Sequence, residues 1–275
     1  MRIIVTGANG QLGTDLQRVL TGYEVFPVDI EELDITDFSA VQREVGRIKP
    51  ELIIHGAAFT DVDGAELHVD RAFQINAAGA QNLAATAERY GAAILYVSTD
   101  FVFDGTKGDA YTEFDDPSPL SVYGASKLAG ERQVMSLTNR FYICRTAWLY
   151  GRHGHNFVKT MLRLGEERDS ISVVDDQIGS PTFAADLAAK LVEIGTSGRY
   201  GVYHTTNSGA VSWYAFAKKI FEAAAMDVEV KPIKTSEMQR PAPRPAYSVL
   251  RNLTLELQGM EPMRPWEEGL ADYFK

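Results

Sequence analysis

The chain has 275 residues, 45% of them hydrophobic, enough to bury the core of one large domain with or without a smaller lobe. Its formal net charge of -10 and pI near 5.0, with no stripe of Lys and Arg, exclude a protein that tracks nucleic-acid phosphates. No basic N-terminal region precedes an apolar run, and no segment approaches the ~20 apolar residues that span a bilayer. No membrane partner is expected, and the expected location is cytoplasmic.

The first strand, "RIIV", runs into Thr6-Gly7-Ala8-Asn9-Gly10-Gln11-Leu12-Gly13 and then into a helix, "QLGTDLQRVL". Gly7 permits a tight turn, Gly10 lets backbone approach a diphosphate with no Cβ in the way, and Gly13 lets the helix lie close on the sheet. The free N–H groups and positive dipole end of that helix then face the anion. With a strand before it and a helix after it, the GxxGxxG spacing marks a dinucleotide site. The second strand, "EVFPV", ends at Asp29, 22 residues after Gly7, where a carboxylate accepts hydrogen bonds from the adenosine ribose hydroxyls. A capping or loop aspartate is the other reading of that position. Because "IEELD" adds negative charge and no Arg or Lys, a 2'-phosphate meets repulsion there, which favours NADH over NADPH.

The alternation continues with the helix "DFSAVQREVGRI", the strand "LIIHG", a long helical stretch ending near Tyr90 and the strand "AILYVS". Strands that are apolar throughout suit a parallel sheet covered on both faces. The expected fold is α/β, a Rossmann-type doubly wound parallel sheet with a smaller C-terminal α/β substrate-binding lobe. Residues 1–150 form the NAD(P)-binding part, with later segments returning to the sheet, and 151–275 are mainly the lobe. In the second half, "NFVKTMLRLGEER" and "FAADLAAKLVEIG" read as helices, "SVV", "GVYHTT" and "EVKPI" as strands, and "RPAPRPAYS" as an extended segment.

"LYVSTD" places Ser98 and Thr99 at the C-terminal end of a parallel strand, where open α/β sheets bind ligands. The Gly/Pro/Asp-rich loop "DFVFDGTKGDAYTEFDDPSPL" follows, too long for a simple connection and therefore expected to serve a site. It leads to "SVYGASKLAGE", where Tyr123 and Lys127 share one face of a helix start. Taking ~5 Å and an effective dielectric of ~20, the ammonium favours the phenolate by roughly 3 kcal/mol, about two pK units. Tyr123 is then the acid that protonates a carbonyl oxygen as hydride reaches the carbon, Lys127 also grips the nicotinamide ribose, and Thr99 holds the carbonyl. The same spacing recurs at Tyr214 and Lys218, but Trp213, Phe216, Ala217, Ile220 and Phe221 make that helix a core-facing stripe. The single cysteine, Cys144, lies in the buried strand "FYICRTAWL". Of the five histidines only His153 and His155 are close neighbours, with no third ligand beside them, so no metal site is assigned.

These features are similar to those of the extended short-chain dehydrogenases/reductases. More narrowly, the chain resembles the dTDP-4-dehydrorhamnose reductase family over nearly its whole length, in "TGANGQLG", "AAFTDVDGAE", "STDFVFDGT", "PLSVYGASKLAGE", "RTAWLYG", "NFVKTMLRL", "DQIGSPT" and "RPAPRPAYS". The glycine and Tyr/Lys motifs are common to the superfamily, whereas "VDGAE", "RTAW" and "DQIGSPT" are far more specific. The resemblance implies reduction at C4 of a dTDP-4-keto-6-deoxysugar, the last step of dTDP-L-rhamnose biosynthesis, by Thr99, Tyr123 and Lys127. It implies that NADH or NADPH is lined by Gly7, Gly10, Gln11, Leu12, Gly13, Asp29, Asp34, Ile35, Ala57, Ala58, Thr60 and Asn76. It also implies that Val62, Asp100, Phe101, Trp148, Asn156, Arg240 and Arg244 surround the nucleotide sugar with Thr99 and Tyr123. Arginine forks suit a diphosphate entering a protein of negative charge. For Trp148, core packing and an apolar wall for the deoxysugar both stay open.

The family pattern has Tyr in "STDYVF" where this chain has Phe101, which removes a hydroxyl and also the acid–base group of the related dehydratases, favouring reduction over dehydration. Some family members pair subunits through magnesium. Asp15 is the candidate ligand here, although nothing in the sequence demands the ion or the homodimer. The alternative readings are another NDP-4-keto-6-deoxysugar reductase, a 4-epimerase, or a noncatalytic subunit like the regulatory subunit of methionine adenosyltransferase. Retention of Thr99, Tyr123 and Lys127 opposes the last.

Overall fold

The computed structural model describes residues 1–275. Strands β1 (Arg2–Thr6), β2 (Glu24–Val28), β3 (Leu52–His55), β4 (Ala93–Thr99) and β5 (Phe141–Thr146) form one parallel sheet with strand Gly201–His204. From edge to edge the order is Gly201–His204, β5, β4, β3, β1, β2. The chain builds outward from β1 to β2, then crosses to the other side of β1, and the crevice at that reversal is where such sheets bind ligands.

Apolar residues run continuously because neighbours along a strand face opposite layers. Ile3, Val5, Leu52, Ile54 and Leu95 pack under helix α1 (Gln11–Val19) and helix Ala184–Gly195, contacting Leu12, Leu16, Leu187 and Leu191. Ile4, Ile53 and Ile94 stand side by side across three strands. They face helices α2 (Phe38–Ile48), α5 (Ala80–Tyr90) and α6 (Val122–Leu137) through Val41, Val45, Leu83 and Val134. Two side-chain caps fix where helices begin. Asp37 Oδ1 accepts the Ser39 and Ala40 amides, and Ser121 Oγ accepts the Gly124 amide.

The stretch expected to be one helix up to Tyr90 is instead several pieces: α3 (Val62–Leu67), α4 (Val69–Phe73), a wide π turn at Gln74–Gly79, and α5. The first break falls at His68, whose ψ of 54° leaves the helical region. The π turn carries Asn76 into the interior, where it holds Phe59 and Ser126.

A third apolar cluster lies outside the sheet layers. Tyr150, Val158, Ile171, Phe216, Ile220 and Trp266 pack between helices Phe157–Glu167 and Trp213–Ala223 and the parallel pair Ser170–Val174 with Glu229–Ile233. Strand Gly201–His204 leaves this half to rejoin the main sheet beside β5. Residues 239–246, spanning most of "RPAPRPAYS", contain neither helix nor strand.

Candidate active site

A cleft of about 1300 Å³ runs from the C-terminal ends of β1, β2 and β4 to the second-half cluster. At its first end the glycine turn does what its spacing predicts. Gly7 has φ of 69°, and a Cβ there would meet the Ala57 amide nitrogen at 2.8 Å; one on Gly13 would collide with the Gly7 carbonyl and Ala8. Gly10 caps α1, so the first amides of that helix open on the cleft beside Gly10, Gln11, Leu12 and Gly13. This cradle, which side chains would fill, fits a dinucleotide diphosphate.

Asp29 lies just beyond β2, and its Oδ2 accepts the Asn9 amide at 2.9 Å, which ties it to the glycine turn. Asp34, Ile35, Ala57, Ala58 and Thr60 also line this end. Asn76 does not. It is fully buried, with Oδ1 accepting the Phe59 amide at 2.8 Å and Nδ2 donating to Phe59 O and Ser126 Oγ. The structure does not bring this expected cofactor residue to the cleft; its amide braces the Phe59 loop from behind.

Thr99 closes β4, and Tyr123 enters one residue into α6. The start of α6 lies close on the turn after β4 because Gly124 rests against the Phe101 carbonyl, where a Cβ would not fit. Glu66 Oε1 additionally accepts the Val122 amide at 2.8 Å. These contacts bring Thr99, Asp100, Phe101, Tyr123 and Lys127 together on the cleft wall. The Phe101 ring meets Tyr123 edge-on at 5.7 Å.

The electrostatics differ from the expectation of a phenol acidified by its lysine. The Lys127 ammonium donates to the Val97 carbonyl at 2.7 Å and sits 4.0 Å from the Tyr96 ring centre. It is thus held by the sheet rather than by the phenol. Burial drags it down to about 7, against which the Glu131 carboxylate pulls upward. Tyr123 moves the opposite way, pushed up to about 12 by burial, with the Thr99 hydroxyl drawing it back in part. Sharing a helix face did not guarantee contact, because the backbone carbonyl of β4 competes for the ammonium.

Beneath these groups Glu131 accepts two bonds from Arg145, at 2.9 and 2.7 Å, and one from Ser98 at 2.5 Å, all fully or nearly buried. The Ser98 hydroxyl is thereby turned to this ion pair, which leaves Thr99 as the strand-end hydroxyl beside Tyr123 on the cleft wall. Asp100 is buried as well, accepting from Thr99 Oγ1 at 3.1 Å and Ser248 Oγ at 2.6 Å. Burial raises its carboxyl to about 6.

At the far end Trp148 adopts a left-handed backbone, φ 46°. Its indole stacks on Trp213 with ring centres 3.4 Å apart and planes within 6°, and Gly179 leaves room for it on the other side. Both tryptophans and Phe157 line the cleft. Trp148 is therefore a wall of the cleft rather than plain core, and Trp213 packs with the stripe of its helix, Phe216, Ala217, Ile220 and Phe221, while also facing the cleft. Sequence reasoning missed Trp213 because it sits at the first helical position, where the stripe and the cleft meet. It also missed Gln177, which lines the cleft from "DQIGSPT" and carried no periodic signal.

Val62, Arg240 and Arg244 reach the cleft, but Asn156 does not. Asn156 caps helix Phe157–Glu167 and donates through Nδ2 to Gln11 Oε1 at 2.7 Å and Gly151 O at 2.8 Å. The structure does not bring this expected sugar-binding residue to the cleft; its amide links the glycine turn to the second half. Asp15 is buried in α1, 3.7 Å from Arg18, and its carboxyl is raised by burial. No group of three or more His, Cys, Asp or Glu converges as a metal site, and no helix is long and apolar enough to cross a membrane.

The family model described as the RmlD substrate binding domain matches residues 1–275. The chain belongs to this family. It is 46% identical to the dTDP-4-dehydrorhamnose reductase of Aggregatibacter actinomycetemcomitans, covering 98% of this chain and 97% of the relative. It is 41% identical to the spore coat polysaccharide biosynthesis protein SpsK of Bacillus subtilis (strain 168), covering 100% and 97%. Among solved structures, a dTDP-4-dehydrorhamnose reductase from Bacillus anthracis, in complex with NADP, superposes with a TM-score of 0.98 at 50% identity, covering 99% of this chain and 98% of that one.

Proposed function

We infer that this chain is an NAD(P)H-dependent oxidoreductase that reduces the C4 keto group of dTDP-4-dehydro-6-deoxy-L-mannose, giving dTDP-L-rhamnose in the last step of that nucleotide sugar's biosynthesis. The observation that carries the reading is one continuous cleft with a glycine cradle at one end, Thr99, Tyr123 and Lys127 midway, and an aromatic and arginine-bordered chamber at the other. Full-length membership in the family supports the same assignment.

The bound nicotinamide supplies the hydride; the protein's residues orient the carbonyl and handle the proton. Thr99 Oγ1 lies beside Tyr123 on the cleft wall and, turned from Asp100, donates its one proton to the C4 oxygen, which leaves the Tyr123 hydroxyl free to donate there as well. The Tyr123 hydroxyl, protonated because burial keeps its pKa high, then donates to the C4 oxygen as negative charge develops there. Lys127, once turned from the Val97 carbonyl toward a ribose hydroxyl, places a positive charge near the phenolate left behind. Trp148 and Trp213 exclude water on the sugar side.

NADH is the preferred donor in this reading. Asp29 stands at the ribose end with Glu32 beside it, whose Oε2 accepts the Asp29 amide at 2.9 Å, and this pair of carboxylates disfavours a 2'-phosphate. The test is NADH absorbance followed with a panel of nucleotide 4-ketosugars, with and without magnesium. Consumption with the dTDP-4-keto-6-deoxy-L-sugar and little with other sugars supports the reading. Turnover of substrate with no net NADH loss points to an epimerase instead.

A further inference from the structure

The segment from Arg240 to Arg244 borders the cleft, and its donors converge on one carboxylate in the "VDGAE" motif. Arg244 forks onto Asp63, Nη1 donating to Oδ1 and Nη2 to Oδ2, both at 2.9 Å. Arg240 Nη1 donates to Oδ2 at 3.1 Å, and the Ala242 amide donates to Oδ1 at 3.2 Å. Pro241 and Pro243 have no N–H, so Ala242 carries the one amide of that stretch, and it is committed to Asp63. Arg244 Nη1 also donates to the Ala242 carbonyl at 2.8 Å, closing a ring of bonds around the carboxylate.

A carboxylate in a guanidinium fork occupies the geometry that otherwise receives a phosphate. Arg244 is only 16% exposed and both its terminal nitrogens are engaged, whereas Arg240 is 48% exposed and its Nη2 has no protein partner. The Arg244 bonds, ahead of other causes, hold the Asp63 carboxyl down to about 2, so it stays charged at any working pH.

We propose that Asp63 is a positioning residue for nucleotide-sugar binding: it anchors the Arg240–Arg244 segment at the cleft and makes Arg244 a strut, leaving Arg240 to meet the diphosphate. This rests on the functional reading above. Without Asp63, two like charges and two prolines, Pro241 and Pro243, remain in a segment with no strand or helix to hold it.

The test compares the parental protein, saturated with NADH, with Asp63→Ala, Arg244→Ala and the double variant. Calorimetry with dTDP and steady-state kinetics with the 4-ketosugar are the readouts. Each single variant is expected to weaken dTDP binding and raise KM roughly tenfold, with kcat within about threefold and NADH affinity unchanged. Because the two residues act as one unit, the double variant should be no worse than either single one. Parental or tighter dTDP binding by Asp63→Ala, or losses that add in the double variant, overturns the proposal. Should Asp63→Ala fail to fold, Arg244→Lys keeps the charge and loses the fork; a raised KM supports the proposal and a parental KM overturns it. If the parental protein binds dTDP but oxidises no NADH with the ketosugar, the functional reading fails, while the dTDP comparison still decides the role of Asp63.

Discussion

Lys127 should impose an alkaline limit on the reaction far below that of an ordinary lysine. Its side chain is 3% exposed, and burial, offset in part by Glu131, lowers it from 10.5 to about 7. The groups facing it are the Val97 carbonyl, the Tyr96 ring, Glu131 and the neutral His55, whose own value its charge helps to lower. With a lowered lysine the ammonium persists below pH 7 and is lost above it. At pH 9 about 1% of Lys127 remains charged, against about 97% for a lysine of ordinary pKa. If the reaction needs the ammonium, kcat/KM for NADH falls about tenfold per pH unit above 7 and roughly 100-fold by pH 9. Tyr123, near 12, stays protonated over this range and is not the source of the loss. Initial rates from pH 6 to 9.5 measure the limb. Lys127→Arg retains charge at every pH, so its slower reaction should lose the limb. A flat parental profile to pH 9, or an unchanged limb in Lys127→Arg, would refute the reasoning.

Two further outcomes follow, one from a buried histidine and one from the carboxylate at the end of β2. His204 is fully buried, and burial followed by the Arg145 charge lowers it from 6.5 to about 3. A depressed folded value means that its contribution to stability is present above 6.5 and is lost as the pH falls toward 3. Between pH 7 and pH 5 the parental protein should therefore lose about 2 kcal/mol more than His204→Gln. Urea unfolding at both pH values measures the difference; equal losses would show that the imidazole is not held neutral. For the cofactor, Asp29→Ala should raise the NADPH to NADH ratio of kcat/KM, and an unchanged ratio would remove charge repulsion as its basis.

The sheet was legible because each strand is apolar on both faces, a pattern that Ile3, Ile4 and Val5 show within three residues. The glycine cradle was legible for a similar reason: steric need leaves glycine as a visible trace, as at Gly7. What periodicity could not show was direction. Lys127 has the spacing to reach Tyr123 yet bonds to Val97 on β4, a partner 30 residues away in sequence. Asn76 and Asn156 lie next to cleft-lining residues, but each amide faces inward to brace a loop or a helix start. The π turn that aims Asn76 interrupts a run that reads as one continuous helix, and the Trp148 to Trp213 stack joins a loop residue to a helix start 65 residues further along the chain. The pairing of Asp63 with Arg244 spans 181 residues, a distance at which charge alone names no partner.

NADH oxidation by Tyr123→Phe, measured beside Tyr214→Phe with the dTDP-4-keto-6-deoxy-L-sugar, tests the central claim most directly. The two tyrosines share the spacing to a lysine, but Tyr123 lines the cleft and Lys218 merely lies over the Tyr214 ring at 5.5 Å. Tyr123→Phe should lower turnover by ~10²- to 10⁴-fold, roughly 3 to 5 kcal/mol, with NADH still bound, and Tyr214→Phe should leave it unchanged. Parental turnover in Tyr123→Phe would contradict the account.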